Sequence, residues 1–136
     1  MRQLFCILTA IVLLAACSGV TPEWKAASEA QKYYSCLAED NATGFLEGKA
    51  GIDSLPGDYC EQLLEAVEQY QADVKTKHGG LSNVRIADSH YQDGGEVLCD
   101  TALGLTYAFL ILCYGDSTQE EITVPMVAVD GRWLMK

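Results

Sequence analysis

A chain of 136 residues, about half of them apolar, is long enough for one domain with a real core and too short for two. Nine Lys and Arg against nineteen Asp and Glu give a formal charge of −10, which argues against nucleic acid and anionic lipid headgroups as electrostatic partners. The charges are spread along the chain, the pattern of a well-solvated surface, with no block of one sign.

In chain order, Met1-Arg2-Gln3 is a short, weakly basic start, and Leu4 to Ala16 is a nearly unbroken apolar run. That run is short of the roughly 20 residues a spanning helix needs. Its end, Leu14-Ala15-Ala16-Cys17, resembles the lipobox of bacterial lipoprotein precursors. Small residues suit a peptidase that needs narrow side chains beside the cut, and the Cys17 thiol is the atom that takes the diacylglycerol. The expectation is a signal peptide over 1–16, a lipidated tether over 17–21 and one domain over 22–136. Cys6 falls in the removed segment as apolar filler. Losing Arg2 leaves eight bases against nineteen acids, so membrane contact is expected from acyl chains, two or more of which attach stably.

Thr21-Pro22-Glu23 reads as N-cap, N1 proline and early acid. Ala26, Ala30, Tyr33 and Leu37 then fall at helical spacing to about Glu39, with Trp24, Ala27 and Tyr34 beside them. A short helix is predicted over Thr43 to Lys49, ended by Gly51, with Asp53 to Gly57 as loop. Asp58-Tyr59-Cys60-Glu61 looks like a capping box, and Tyr59, Leu63, Ala66, Val67, Tyr70 and Val74 form one apolar stripe. Lys75, Lys77 and His78 in the last turn meet the negative helix end, and Gly79-Gly80 closes it.

The period then changes. Val84, Ile86, His90 and Tyr91 suggest a first strand, and Asp93-Gly94-Gly95 a turn. Glu96 to Tyr114 is too long for one ordinary strand, so a break is expected near Gly104 with Leu105 to Tyr114 the central strand. Gly115-Asp116-Ser117 turns into a strand over Glu120 to Val129. Asp130-Gly131 is a favoured two-residue type I′ turn, which pairs Val129 with Arg132, Ala128 with Trp133 and Met126 with Met135. Ile122, Val124, Met126, Ala128, Trp133 and Met135 then share the core face. Pro125 lacks a ladder donor, so its N–H side is expected at an edge or a bulge. Helices followed by an antiparallel meander make an α+β fold, with a long helix across a curved sheet.

Four cysteines follow Cys17: Cys36, Cys60, Cys99 and Cys113. An even number in an exported domain suggests two disulfides, with three connectivities open. The alternative is free thiols packed as small apolar side chains. A straight strand would hold Cys99 and Cys113 roughly 45 Å apart, too far to bond without the break at Gly104. There is no CxxC and no zinc spacing, so no metal and no cofactor is expected.

Residues 33 to 136 resemble a group of small uncharacterised Bacteroidetes lipoproteins. The carriers are Phe45-Leu46-Glu47-Gly48-Lys49, Asp53-Ser54-Leu55-Pro56, Glu61-Gln62-Leu63-Leu64, and the run from Cys113-Tyr114-Gly115-Asp116-Ser117-Thr118 through Val124-Pro125-Met126-Val127 to Gly131-Arg132-Trp133. The final part looks like domain-of-unknown-function lipoproteins of the nuclear-transport-factor-two-like (cystatin-like cone) superfamily. That resemblance implies a helix packed into a strongly bent antiparallel sheet, a cone that often holds a pocket. It does not carry an activity. The lineage also implies outer-membrane sorting, from Ser18 after the cysteine, and the periplasmic face, because no acidic cluster follows Cys17. Asp53-Ser54-Leu55, Asp100-Thr101-Ala102 and Asp116-Ser117-Thr118 are similar to the phylum's O-glycosylation motif, which makes Ser54, Thr101 and Ser117 candidate acceptors. For the first and third, turn chemistry is the preferred reading.

Enzymes of that superfamily do acid–base work inside the cone, and the candidates here are Asp100, Tyr107, Tyr114 and His90. Asp100 is a lone charge among apolar residues, where burial would raise its pKa, although a turn position before Gly104 also accounts for it. Nothing resembles a nucleophile elbow, a phosphate loop or a metal cluster. The leading expectation is a non-catalytic envelope domain that binds a small apolar ligand or an envelope protein. The alternatives are a pocket enzyme with Asp100 as base and an inhibitor or immunity protein.

Overall fold

The computed structural model describes residues 22–91, 99–100 and 104–136, with Cys99 and Asp100 described as backbone only. The elements are α1 (Pro22–Ala38), α2 (Ala42–Glu47), α3 (Gly57–His78), β1 (Leu81–Ile86), β2 (Cys99–Asp100), β3 (Leu105–Tyr114), β4 (Gln119–Val129) and β5 (Arg132–Met135). The strands form one curled antiparallel sheet in the order β1-β3-β4-β5, and β2 pairs with the start of β3 beside β1. The fold is α+β, helices on a curved antiparallel sheet, as the order of periodicities predicts.

α1 lies on the concave face. Ala26, Ala27 and Ala30 are fully buried, and such small side chains let the helix backbone approach the sheet closely. They meet Ala108, Leu110 and Leu112 of β3 and Val124 and Met126 of β4, every second residue of each strand. Gln31 Nε2 donates to Val84 O at 3.0 Å and Tyr33 Oη donates to Trp133 O at 2.9 Å, which fixes the helix to both flanks of the sheet. The open edge of β5 is covered by the chain leaving α2: Ala50 N donates to Met135 O and Met135 N to Gly48 O, each at 2.7 Å.

The C-terminal hairpin has the predicted register, Val129↔Arg132, Ala128↔Trp133 and Met126↔Met135, around Asp130 and Gly131 at φ 50° and 78°. Pro125 O accepts from Lys136 N at 2.9 Å, so the donor that proline lacks faces a position just beyond the end of β5. The break before β3 falls at Gly104, φ 66°.

Several expectations are corrected. The second helix starts at Ala42 because Asn41 caps it, its Oδ1 accepting from Gly44 N at 3.0 Å, and it ends at Glu47, where Gly48 N turns back to Phe45 O at 3.1 Å. A 3₁₀ turn over Ile52–Ser54 occupies part of the expected loop. Asp58 is not a cap. α3 opens at Gly57 with Pro56 before it, whose carbonyl takes Tyr59 N and Cys60 N, so Asp58 acts only as an acid in the first turn. β1 ends at Ile86, and His90 sits in a 3₁₀ turn, Asp88–His90. Tyr91 Oη accepts from Phe109 N at 3.0 Å, supplying the partner that a longer β1 would have given. Ala128 is exposed, unlike its buried or half-buried companions on that face.

Two disulfides would place at least one bond within Cys36, Cys60 and Cys113, and all three are free thiols. Each sulfur instead lies against backbone carbonyls of its own neighbourhood, Cys36 on Lys32 O at 3.4 Å and Cys60 on Ile52 O at 3.7 Å. Burial, then the nearby Glu39 and Glu47, push the Cys36 thiol up, away from the reactive thiolate.

Candidate functional site

α3 is amphipathic over its whole length, yet Val74 is its one buried residue. Tyr59 and Tyr70 are 49% and 40% exposed. The N-terminal half of α3 borders α2 and the 3₁₀ turn, where Cys60 Sγ lies 3.7 Å from Ile52 O, and its polar ties to the rest of the fold are near the C-terminal end. Gln71 Nε2 donates to Leu37 O at 3.3 Å, Lys75 Nζ pairs with Asp40 at 2.9 Å, and the helix end is bonded to the β3–β4 turn. The rest of the apolar stripe stands off from the sheet. Between them lies an open cleft of about 820 Å³, within the roughly 300–1,000 Å³ range of small-molecule sites. Leu63, Val67 and Tyr70 wall one side, and Tyr34, Leu112 and Ile122 face them from α1, β3 and β4. Tyr34 stands edge-on to Phe45, centroids 5.1 Å apart.

One end of the cleft is polar. Tyr114, buried at the end of β3, donates its hydroxyl proton to Glu120 Oε2 at 2.8 Å. Burial, the Glu120 hydrogen bond and the neighbouring Tyr70 all push its ionisation upward, so it stays a neutral donor. The His78 ring stacks on it, centroids 4.6 Å apart, and His78 Nδ1 meets Asp116 Oδ2 at 2.9 Å.

The Asp116 carboxyl is held down at about 2 by the Thr118 hydroxyl, then His78, then Thr118 N. A carboxylate whose folded pKa lies below its ordinary value stabilises the fold above that ordinary value and loses the contribution as pH falls through the folded one. The turn is therefore expected to loosen between about pH 4 and 2. An NMR titration of the Asp116 carboxyl carbon should show its midpoint near 2, and a midpoint near 4 would refute the network.

Of the acid–base candidates whose side chains are described, Tyr114 alone lines the cleft. Tyr107 and Phe109 alternate onto the other sheet face. His90 stacks flat on Phe109, centroids 3.8 Å apart, and meets Glu121 Oε1 at 2.7 Å. Cys17, Thr101 and the side chains of Cys99 and Asp100 lie outside the described residues. Asp100 backbone pairs with Leu105. Ser54 and Ser117 are exposed in turns. Among the described residues no three His, Cys, Asp or Glu side chains gather as metal ligands would, and no helix is long and apolar enough to cross a membrane.

His78 and Glu120 belong to the site and were not singled out for it by sequence. The His78-Gly79-Gly80 stop explains the histidine as a helix-end cation, and its acid partner lies 38 residues away. The one available signal was that the turn Tyr114-Gly115-Asp116 offers an aromatic and an acid together.

No protein-family model matches the chain, and no curated protein matches its sequence. Among solved structures, it is similar to a candidate NTF2-like transpeptidase from Campylobacter jejuni, with a TM-score of 0.56 and 11% identity over 78% of this chain and 92% of that one. At that identity the likeness carries the fold alone. The chain has the NTF2-like cone fold, with helices packed on a curled antiparallel sheet.

Proposed function

We propose that this protein is a lipid-anchored envelope protein whose cone binds an apolar ligand, either a small molecule or an apolar segment of an envelope protein, and does not transform it. The carrying observation is the unburied stripe of α3 facing the sheet across about 820 Å³. Apolar surface left in water costs about 25 cal/mol per Å², and a ligand of matching shape recovers it. Anchoring through Cys17, outer-membrane sorting and the periplasmic face are part of the same proposal and rest on the lipobox resemblance and on Ser18. The likeness to the Bacteroidetes lipoproteins supports the same placement.

The test uses N-phenyl-1-naphthylamine, a neutral apolar dye, with detergent-washed full-length protein. Saturable binding at one site is expected, weakened more than about tenfold by Val67→Asp, which puts a charge in the apolar wall. Glu65→Gln, exposed on the same helix, should leave it unchanged. Unsaturable uptake, or Val67→Asp binding as well as wild type, would refute the cleft as a binding site. Anchoring is tested separately: Cys17→Ser should move the protein from the membrane pellet to the soluble fraction.

A further inference from the structure

The sequence contains two tryptophans, and both line one cavity of about 690 Å³ outside the cleft, with Lys25, Ser28, Glu29 and Arg132. Trp24 and Lys25 belong to the first turn of α1, and Arg132 and Trp133 open β5 directly after the hairpin turn. Both indoles are half-buried and held in place. Trp24 stands edge-on to Tyr91, centroids 5.4 Å apart, and Trp133 packs against the core with its carbonyl bonded by Tyr33.

We infer that this cavity seats on the phospholipid headgroup layer, an inference that rests on the anchoring through Cys17 proposed above. Five residues carry the chain from Cys17 to the start of α1 at Pro22, a reach of at most about 18 Å when fully extended. A domain of this length is roughly 35 Å across, so an acylated Cys17 holds this end against the bilayer and keeps the far end off it. Indoles favour the headgroup level because they join an apolar ring to a donating N–H. Lys25 and Arg132 can lay their stems along the rings and offer their cations to phosphate. Glu29 lines the cavity as well, and Glu23 and Asp130 adjoin its lining residues in sequence, so the face has no net positive charge. Contact therefore comes from the rings and suits a zwitterionic surface, in agreement with the acidity of the chain.

The experiment reconstitutes full-length lipidated protein in phosphatidylcholine vesicles, plain or brominated on the acyl chains near the ester. Tryptophan emission should shift to the blue on reconstitution and fall about twofold in brominated vesicles. Trp24→Phe and Trp133→Phe should each retain quenching of the remaining indole. If the protein floats with the vesicles but its emission is the same in both, or if quenching survives in only one of the two variants, docking through the cavity is overturned and anchoring stands. If wild type fails to float, as Cys17→Ser is expected to, anchoring is overturned and the docking with it.

Discussion

Gly115→Ala is expected to destabilise the domain by about 2–4 kcal/mol and to lower its melting temperature by roughly 10 °C. A Cβ on Gly115 would sit 2.6 Å from Gly79 O, 3.1 Å from Gly79 C and 3.3 Å from His78 O. All three are backbone atoms, so no side chain can swing aside. The two chains must separate where Gly115 N donates to Gly80 O at 2.9 Å and Asp116 N to His78 O at 2.8 Å. Opening that contact also strains the His78–Asp116 pair and lets the end of α3 drift from the sheet. Gly57→Ala is the control, since a Cβ there meets nothing within 4 Å, and a helix residue in place of glycine should be neutral or stabilising by up to about 1 kcal/mol. Equal melting temperatures for the two variants would show that the helix-to-turn contact is not close-packed.

Leu110→Ala should cost about 3 kcal/mol, read from denaturant midpoints at constant m-value. Among the described residues, Leu110 and Met126 are the largest side chains with no exposure, adjacent strands placing both under α1. Because α1 meets the sheet here through three alanines, and its longer Gln31 and Tyr33 are tied to Val84 O and Trp133 O, little can fold into the void and most of the cavity should persist. Met126→Ala should behave alike. Val129→Ala, at 41% exposure, should stay within about 0.5 kcal/mol of wild type. A cost below about 1 kcal/mol at Leu110 would mean that the helix is not seated there.

Local chemistry made most of the fold legible. Gly79, Gly104 and Asp130-Gly131 act on their own few residues, and each marks a boundary where the structure has one. Strand alternation likewise placed Val124, Met126 and Met135 in the core. What failed depended on partners distant in sequence. The stripe from Tyr59 to Val74 has the periodicity of a buried helix face, and periodicity cannot tell a face that packs on protein from one that borders a cleft. α1, with its short alanine face, took the sheet instead. His90 read as a strand residue because its alternation continues from Val84, whereas Tyr91 reaching across to Phe109 ends the ladder. The cysteines gave parity and compartment but no geometry. The pairing of His78 with Asp116, and so the polar end of the cleft, became visible only with the turn folded back onto the helix end.

The unequal attachment of α3 has a kinetic consequence. Its backbone amides are bonded within the helix, but no residue of its first four turns is fully buried, in contrast to the core-facing residues of α1 and β3. Deuterium should therefore enter Cys60 to Val67 through small, frequent openings, while β3 and α1 wait for unfolding of the whole domain. An occupant of the cleft would slow the first population and leave the second where it was, a signature that reports occupancy without the occupant being known.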